Sequence, residues 1–129
     1  MRVLLDTNIL LWILSDDERL SDTARQTFLD EENQLLFSIA GFWEIFIKLR
    51  LGKLDLDTGD PAAFFKSQLH ENSVSILGIT MEHVAATLDL PMIHKDPFDR
   101  LMIAQALHEK LPVLSSDSVF TEYGVKNLF

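Results

Sequence analysis

Apolar residues recur along this chain in short runs closed by polar clusters, and the runs alternate between strand length and helix length. Arg2 to Leu5 is a brief strand-type run that halts at Asp6-Thr7-Asn8, after which Ile9 to Leu14, with Trp12 inside it, resumes in helical fashion. Ser15-Asp16-Asp17-Glu18 forms a polar loop. A second helix, with Ser21 or Asp22 as its cap and Arg25, Phe28 and Leu29 downstream, ends near Glu32-Asn33. Gln34 to Phe37 predicts the second strand, followed by Ser38 and a helix from Ile39 to Leu51 that Gly52 terminates. Leu54 to Asp60 reads as a loop, and Pro61 opens a helix through Ala62, Phe64, Phe65 and Leu69. Ser73 to Leu77 is the third strand; Thr80 caps a short helix to about Leu88, and Pro91 interrupts. In the stretch from His94 to Leu107, Pro97 suits the first helical position, which makes Asp96 the natural N-cap and Asp99 the third residue of the first turn. Pro112 to Leu114 is the fourth strand, ending in Ser115-Ser116-Asp117, and Val125 to Leu128 predicts a short edge strand.

Strands alternating with helices imply right-handed crossovers, hence an α/β domain spanning residues 1–129 with a mostly parallel sheet of four to five strands flanked by helices. Every strand then ends on one edge, where open α/β folds bind ligands. Three strands turn polar there: Leu5 to Asp6, Phe37 to Ser38, and Leu114 to Ser115, Ser116 and Asp117.

The 47% hydrophobic content fits one sizeable core. With no cysteine, disulfides and thiolate metal sites are excluded. The apolar start is broken by Asp6, too early for a signal-peptide core, and no run approaches a membrane span, so a cytoplasmic location is expected. A formal net charge of −9 argues against nonspecific clinging to nucleic acid, though acids gathered around a metal would themselves inflate that count. Lys48, Arg50, Lys53, Lys95 and Arg100 are either ordinary surface charge or local phosphate contacts, with Lys48, Lys95 and Arg100 the candidate substrate contacts. The five glycines are scattered and form no phosphate loop, no Ser-His-Asp arrangement is evident, and His70, His83, His94 and His108 lack paired ligand spacing. The histidines are read as non-ligands.

The carboxylates are more informative. The sheet brings Asp6 and Asp117 together, and helical spacing stacks Asp99 with Met102, Ile103 and Ala106, which aims it inward from a helix expected to be covered on most sides. Glu44 stands amid Phe42, Trp43, Ile45, Phe46 and Ile47 in a helix expected to be buried round its circumference, with Ala40 and Gly41 leaving space over its carboxylate. Two plainer readings stand beside these: Glu44 pairs with Lys48 one turn on, and Asp96 caps its helix. Like charges a few ångströms apart raise one another's pKa values and need protons, bases or a metal. All-oxygen ligands favour Mg²⁺ or Mn²⁺, which on carboxylates usually act on phosphate oxygens, pointing to phosphodiester hydrolysis.

Leu4-Leu5-Asp6-Thr7-Asn8, Trp43-Glu44-Ile45 with Lys48 and Gly52-Lys53-Leu54, His94-Lys95-Asp96-Pro97-Phe98-Asp99-Arg100 with Ala104-Gln105-Ala106, and Ser115-Ser116-Asp117 together resemble the PIN-domain ribonucleases, most closely the VapC-type toxins of toxin–antitoxin pairs. The similarity runs over essentially the whole chain. It implies a PIN-like fold and a metal-dependent endoribonuclease held inactive by a cognate antitoxin. It also implies an acidic triad of Asp6, Glu44 and Asp99, with Asp117 as a fourth metal-site carboxylate and Thr7, Asn8, Ser38 and Ser116 as donors or water-holders around them. Asn8 stands where that group often carries histidine. Leu10 to Leu14 and Phe64-Phe65 are either core or an exposed patch suited to the antitoxin or a homodimer. A reading of another class, a receiver-like or non-catalytic binding domain with an acidic pocket, lacks two of its marks. Asp16-Asp17 lie in a loop rather than after the first strand, and no lysine follows Asp117 at a strand end.

Overall fold

The computed structural model describes residues 1–129. Strands β1 (Arg2–Leu5), β2 (Gln34–Ser38), β3 (Val74–Leu77) and β4 (Val113–Leu114) form one sheet in the order β3-β2-β1-β4, every neighbouring pair parallel. Seven α-helices flank it: α1 (Thr7–Ser15), α2 (Asp22–Leu29), α3 (Ile39–Arg50), α4 (Pro61–Glu71), α5 (Met81–Ala86), α6 (Pro97–Glu109) and α7 (Val119–Glu122), with a 3₁₀ turn at Thr87–Asp89 after α5. No helix is long and apolar enough to cross a membrane. The α/β architecture expected from the alternating runs is the one found.

Strands β1, β2 and β4 are buried on both faces because alternate side chains feed two separate cores, whereas Ser75 and Ile76 of the edge strand β3 are exposed. Val3, Leu5, Leu35, Phe37 and Leu114 pack with Ile9, Leu10, Ala24, Phe42, Ile45, Phe65 and Leu69 from α1 to α4. Leu4, Leu36 and Val113 point the other way, toward Met102, Ile103 and Ala106 of α6 and Val119 and Phe120 of α7. Succession runs outward from β1 through β2 to β3, then jumps across to β4 on the far side of β1. The carboxyl ends of β1 and β4 therefore flank the point where the strand order reverses, the crevice where such sheets take ligands.

Several boundaries move for local reasons. Helix α1 begins at Thr7, directly after the strand, because Asp6 caps it. Ser21 rather than Asp22 caps α2, accepting from Ala24 N–H at 3.1 Å. That helix stops at Leu29 because Asp30 turns the chain, taking Glu32 N–H on its side chain and Asn33 N–H on its carbonyl, both at 3.0 Å. The segment Val125 to Leu128 makes only an isolated parallel bridge, Val113 to Asn127, in place of the expected edge strand.

Helix α3 is the main departure from expectation. It is not covered all round: Trp43 is 62% and Phe46 37% exposed, and with Ile39, Phe42, Ala62, Lys66 and Ile76 they line an apolar cleft of about 300 Å³. Nor does Gly41 open space over Glu44; a Cβ there would overlap the buried Phe37 ring, so the missing side chain admits that ring to the sheet–helix contact. Gly52, at φ +72°, takes the left-handed turn that closes α3, as expected. Of the runs read as core or patch, Leu10 and Phe65 are buried core, while Leu11 to Leu14 and Phe64 pack against the first cluster and stay partly exposed.

Candidate active site

Asp6 sits where β1 hands over to α1, at the strand-order reversal. Its extended backbone puts the carboxylate at the helix N-terminus, where Oδ1 accepts Thr7 N–H at 2.8 Å. Across the reversal, Ser115 Oγ donates to Oδ2 at 2.7 Å. The donor is Ser115, 1% exposed, and not Ser116, which faces solvent; beyond a strand of only two residues, the fold sends the first serine inward. Asn127 holds Ser115 in turn through its backbone, taking Ser115 N–H at 3.1 Å and donating to its carbonyl at 2.8 Å. Burial pushes the Asp6 carboxyl above its ordinary range; the Ser115 and Thr7 bonds oppose this, and Glu44 and Asp117 add to it by repulsion.

Asp99 enters from the first turn of α6. Asp96 is the cap of that helix, its Oδ1 accepting Phe98 N–H at 2.8 Å and Asp99 N–H at 3.0 Å. Asp99 Oδ2 meets His94 Nε2 at 2.8 Å. Burial raises the Asp99 carboxyl to about 6; the His94 contact works against it, while Asp96, Asp6 and Glu44 push the same way as burial. Four acids from separate segments thus share one electrostatic neighbourhood, Asp6 feeling Glu44 and Asp117 and Asp99 feeling Asp6 and Glu44. Glu44 also contacts Lys48 Nζ at 3.7 Å, so the pairing and the gathering of acids coexist. Asp117 is exposed and steadied by its own turn, with Oδ1 accepting Val119 N–H and its N–H given to Ser115 Oγ, both at 3.0 Å.

Other residues singled out in the sequence have different employment. Arg100 is not a free cation. Its Nη1 donates to the carbonyls of Pro91 and His94 and to the Tyr123 hydroxyl, and its Nη2 to the carbonyls of Thr87 and Leu90, at 2.9–3.3 Å. The guanidinium thus straps the segment before α6 onto that helix, and Tyr123 OH completes the knot by accepting His94 N–H at 2.9 Å. Lys95 and Asn8 are exposed. Ser38 touches no carboxylate: its Oγ accepts Ala40 N–H at 3.0 Å as the cap of α3 and donates to Gln105 Oε1 at 2.6 Å. Gln105, fully buried, extends the link to Gly78 O at 3.2 Å, and the buried His83 bridges Thr80 N–H and Glu109. His94, Ser115, Gln105, Tyr123 and Asn127 are polar residues of the site or its supports to which the sequence assigns no such role. A lone glutamine between Ala104 and Ala106 on an apolar face was the one available signal.

The donor set suits a hard divalent cation, being carboxylate oxygens that repel one another in partial burial. A further oxygen is at hand: Thr7 Oγ1, adjoining Asp6, is the one buried side-chain polar atom without a hydrogen-bond partner. The acids do not form a closed ligand shell, since no three acidic or histidine side chains stand close enough together to hold an ion as they are placed. Coordination would require side-chain rotation, which the exposed Asp117 permits most readily.

A family model described as PIN domain matches residues 3–126. No curated protein matches the chain. Among solved structures, VapBC2 from Rickettsia felis bound to a promoter DNA fragment is similar at TM-score 0.70 and 14% identity, covering 98% of this chain and 97% of that one. FitAcB from Neisseria gonorrhoeae is similar at TM-score 0.67 and 20% identity over 98% and 96%. A toxin–antitoxin complex from Klebsiella pneumoniae is similar at TM-score 0.56 and 17% identity over 90% and 87%. At these identities the likeness is one of fold.

Proposed function

The chain belongs to the PIN domain family, and from that premise we propose that it is a Mg²⁺- or Mn²⁺-dependent endoribonuclease, the toxin of a type II pair neutralised by a cognate antitoxin. The observation that supports the reading is that Asp6, at the strand-order reversal, is near enough to Glu44 and Asp117 to feel their charge, as Asp99 feels Asp6 and Glu44, four acids from separate segments. Acids held in mutual repulsion cost stability, and a cation-dependent reaction gives that cost a use.

Asp6, Glu44 and Asp99 would hold the ion, with Asp117 as a fourth, more mobile ligand. When bound, such an ion supplies Lewis acidity toward a phosphate oxygen and an activated water. The chain's own part is to aim the ligands. Thr7 N–H and Ser115 Oγ fix both oxygens of Asp6, and His94 fixes one oxygen of Asp99. Lys48 and Lys95 remain the candidate phosphate contacts. The antitoxin partner is supported by the fold's likeness to a chain in a toxin–antitoxin complex. A homodimer or higher toxin–antitoxin assembly, a cytoplasmic location and a single domain over residues 1–129 belong to the same proposal.

The test is direct. Purified protein is expected to cut single-stranded RNA in Mn²⁺ or Mg²⁺, to stop in EDTA, and to lose cleavage on Asp6→Asn while its circular dichroism stays native. Undiminished cleavage by the folded variant would overturn the assignment.

A further inference from the structure

Two aromatic residues adjoin site acids along the chain and have no function yet. Trp43 immediately precedes Glu44 on α3 and Phe98 immediately precedes Asp99 on α6, so the two elements that deliver carboxylates each deliver a ring next to one. The rings meet edge to face, with centroids 5.3 Å apart and planes at 80°. An aromatic contact of this geometry fixes the indole's orientation. Yet Trp43 stays 62% exposed, although its neighbours Phe42 and Ile45 are buried. Core packing does not account for a large ring that is braced by another ring and yet left in solvent on the residue before a site acid. Such a ring is what unpaired bases stack on, because every base has a π-face, whereas duplex bases are already stacked.

We propose that the Trp43 indole, braced by Phe98, seats an unpaired nucleobase of the substrate strand beside the carboxylates. This rests on the ribonuclease reading and deepens it: the substrate is single-stranded at the cut, and one base next to the reacting phosphate is gripped by stacking. With a net charge of −9 the surface offers little general attraction for a polyanion, which raises the share that stacking must carry. The same indole borders the cleft lined by Ile39, Phe42 and Phe46. Only Trp43 among the cleft residues also touches a ring of α6, that of Phe98, the residue before Asp99.

The experiment uses the full-length Asp6→Asn protein in Mg²⁺, so that binding is read without turnover. Affinities for a labelled eight-nucleotide single-stranded RNA and for a series with one abasic position each are measured by fluorescence anisotropy, with Trp43→Ala and Trp43→Phe alongside. One abasic position is expected to weaken binding about tenfold. Trp43→Ala should weaken binding to the intact RNA by a similar factor and lose nothing further at that abasic position, with Trp43→Phe intermediate. In the otherwise wild-type enzyme, Trp43→Ala should raise KM more than it lowers kcat. Equal affinity for every abasic RNA, or an equal loss by Trp43→Ala on intact and abasic strands, would overturn the stacking seat. The same holds if Trp43→Ala alters only self-association or binding to a protein partner. If wild-type protein still cuts RNA in these cases, the ribonuclease reading stands without the seat; if it neither binds nor cuts RNA, both fall.

Discussion

Both oxygens of Asp6 are occupied by donors the chain supplies, Thr7 N–H on one side and Ser115 Oγ on the other. Removing the second donor leaves a buried carboxylate half-held. Ser115→Ala is therefore expected to reduce cleavage by ~10–100-fold, as losses around metal-site ligands do. It should also destabilise the fold by about 1.5–3 kcal/mol in urea unfolding, the range for a hydrogen bond to a charged group, while Ser116→Ala changes neither. This contrast marks how far the sequence could be read. The acids were legible because a carboxylate at a strand end or on the apolar stripe of a helix is conspicuous against its surroundings. The choice between two adjacent serines was not, because it depends on how a two-residue strand enters its turn, which only the sheet decides. His94 was hidden similarly: its reach to Asp99 depends on how the preceding segment lies on α6, and no spacing rule encodes that.

At the scale of elements, the segment from Thr87 to Asp96 has no sheet or helix ladder of its own beyond one 3₁₀ turn and is held by Arg100 and Tyr123. A guanidinium reaching five acceptors in a fixed fork is not replaceable by an ammonium. Arg100→Ala is expected to cost about 2–3 kcal/mol of stability, and Arg100→Lys to recover little of it, both read by urea unfolding. If Arg100 served phosphate instead, stability would hold and RNA binding would lose part of its salt dependence. The elements themselves were well marked in the sequence, down to Pro97 and the Asp96 cap. What failed was the sidedness of α3. Its apolar residues were read as burial all round, whereas part of that surface belongs to the cleft and to Trp43. Hydrophobicity reports that a ring prefers cover, not that the fold provides it.

For the whole molecule, the crowded acids set a pH dependence. Asp99 rises from an ordinary 3.8 to about 6, chiefly by burial, and Asp6 is raised as well. Between those two values the folded chain holds more protons than the unfolded one, so the stability of metal-free protein falls as pH rises through that window. Thermal melts in EDTA should give a higher Tm at pH 5 than at pH 7, and Asp99→Asn should flatten the difference. Saturating Mg²⁺ at pH 7 should recover the loss. A Tm that climbs from pH 5 to 7 without metal would contradict the burial argument.

The strand order also governs timing. The hydrogen bond from Ser115 to Asp6 joins residues 109 positions apart, because β4 is inserted beside β1 after the rest of the sheet has been laid outward on the other side. During synthesis Asp6 waits for that partner while β2, β3 and the helices from α1 to α6 are made. A chain stalled or nicked before β4 carries Asp6, Glu44 and Asp99 but lacks Ser115, which holds the second oxygen of Asp6, and Asp117. The topology thus delays the assembled centre until β4 has been made.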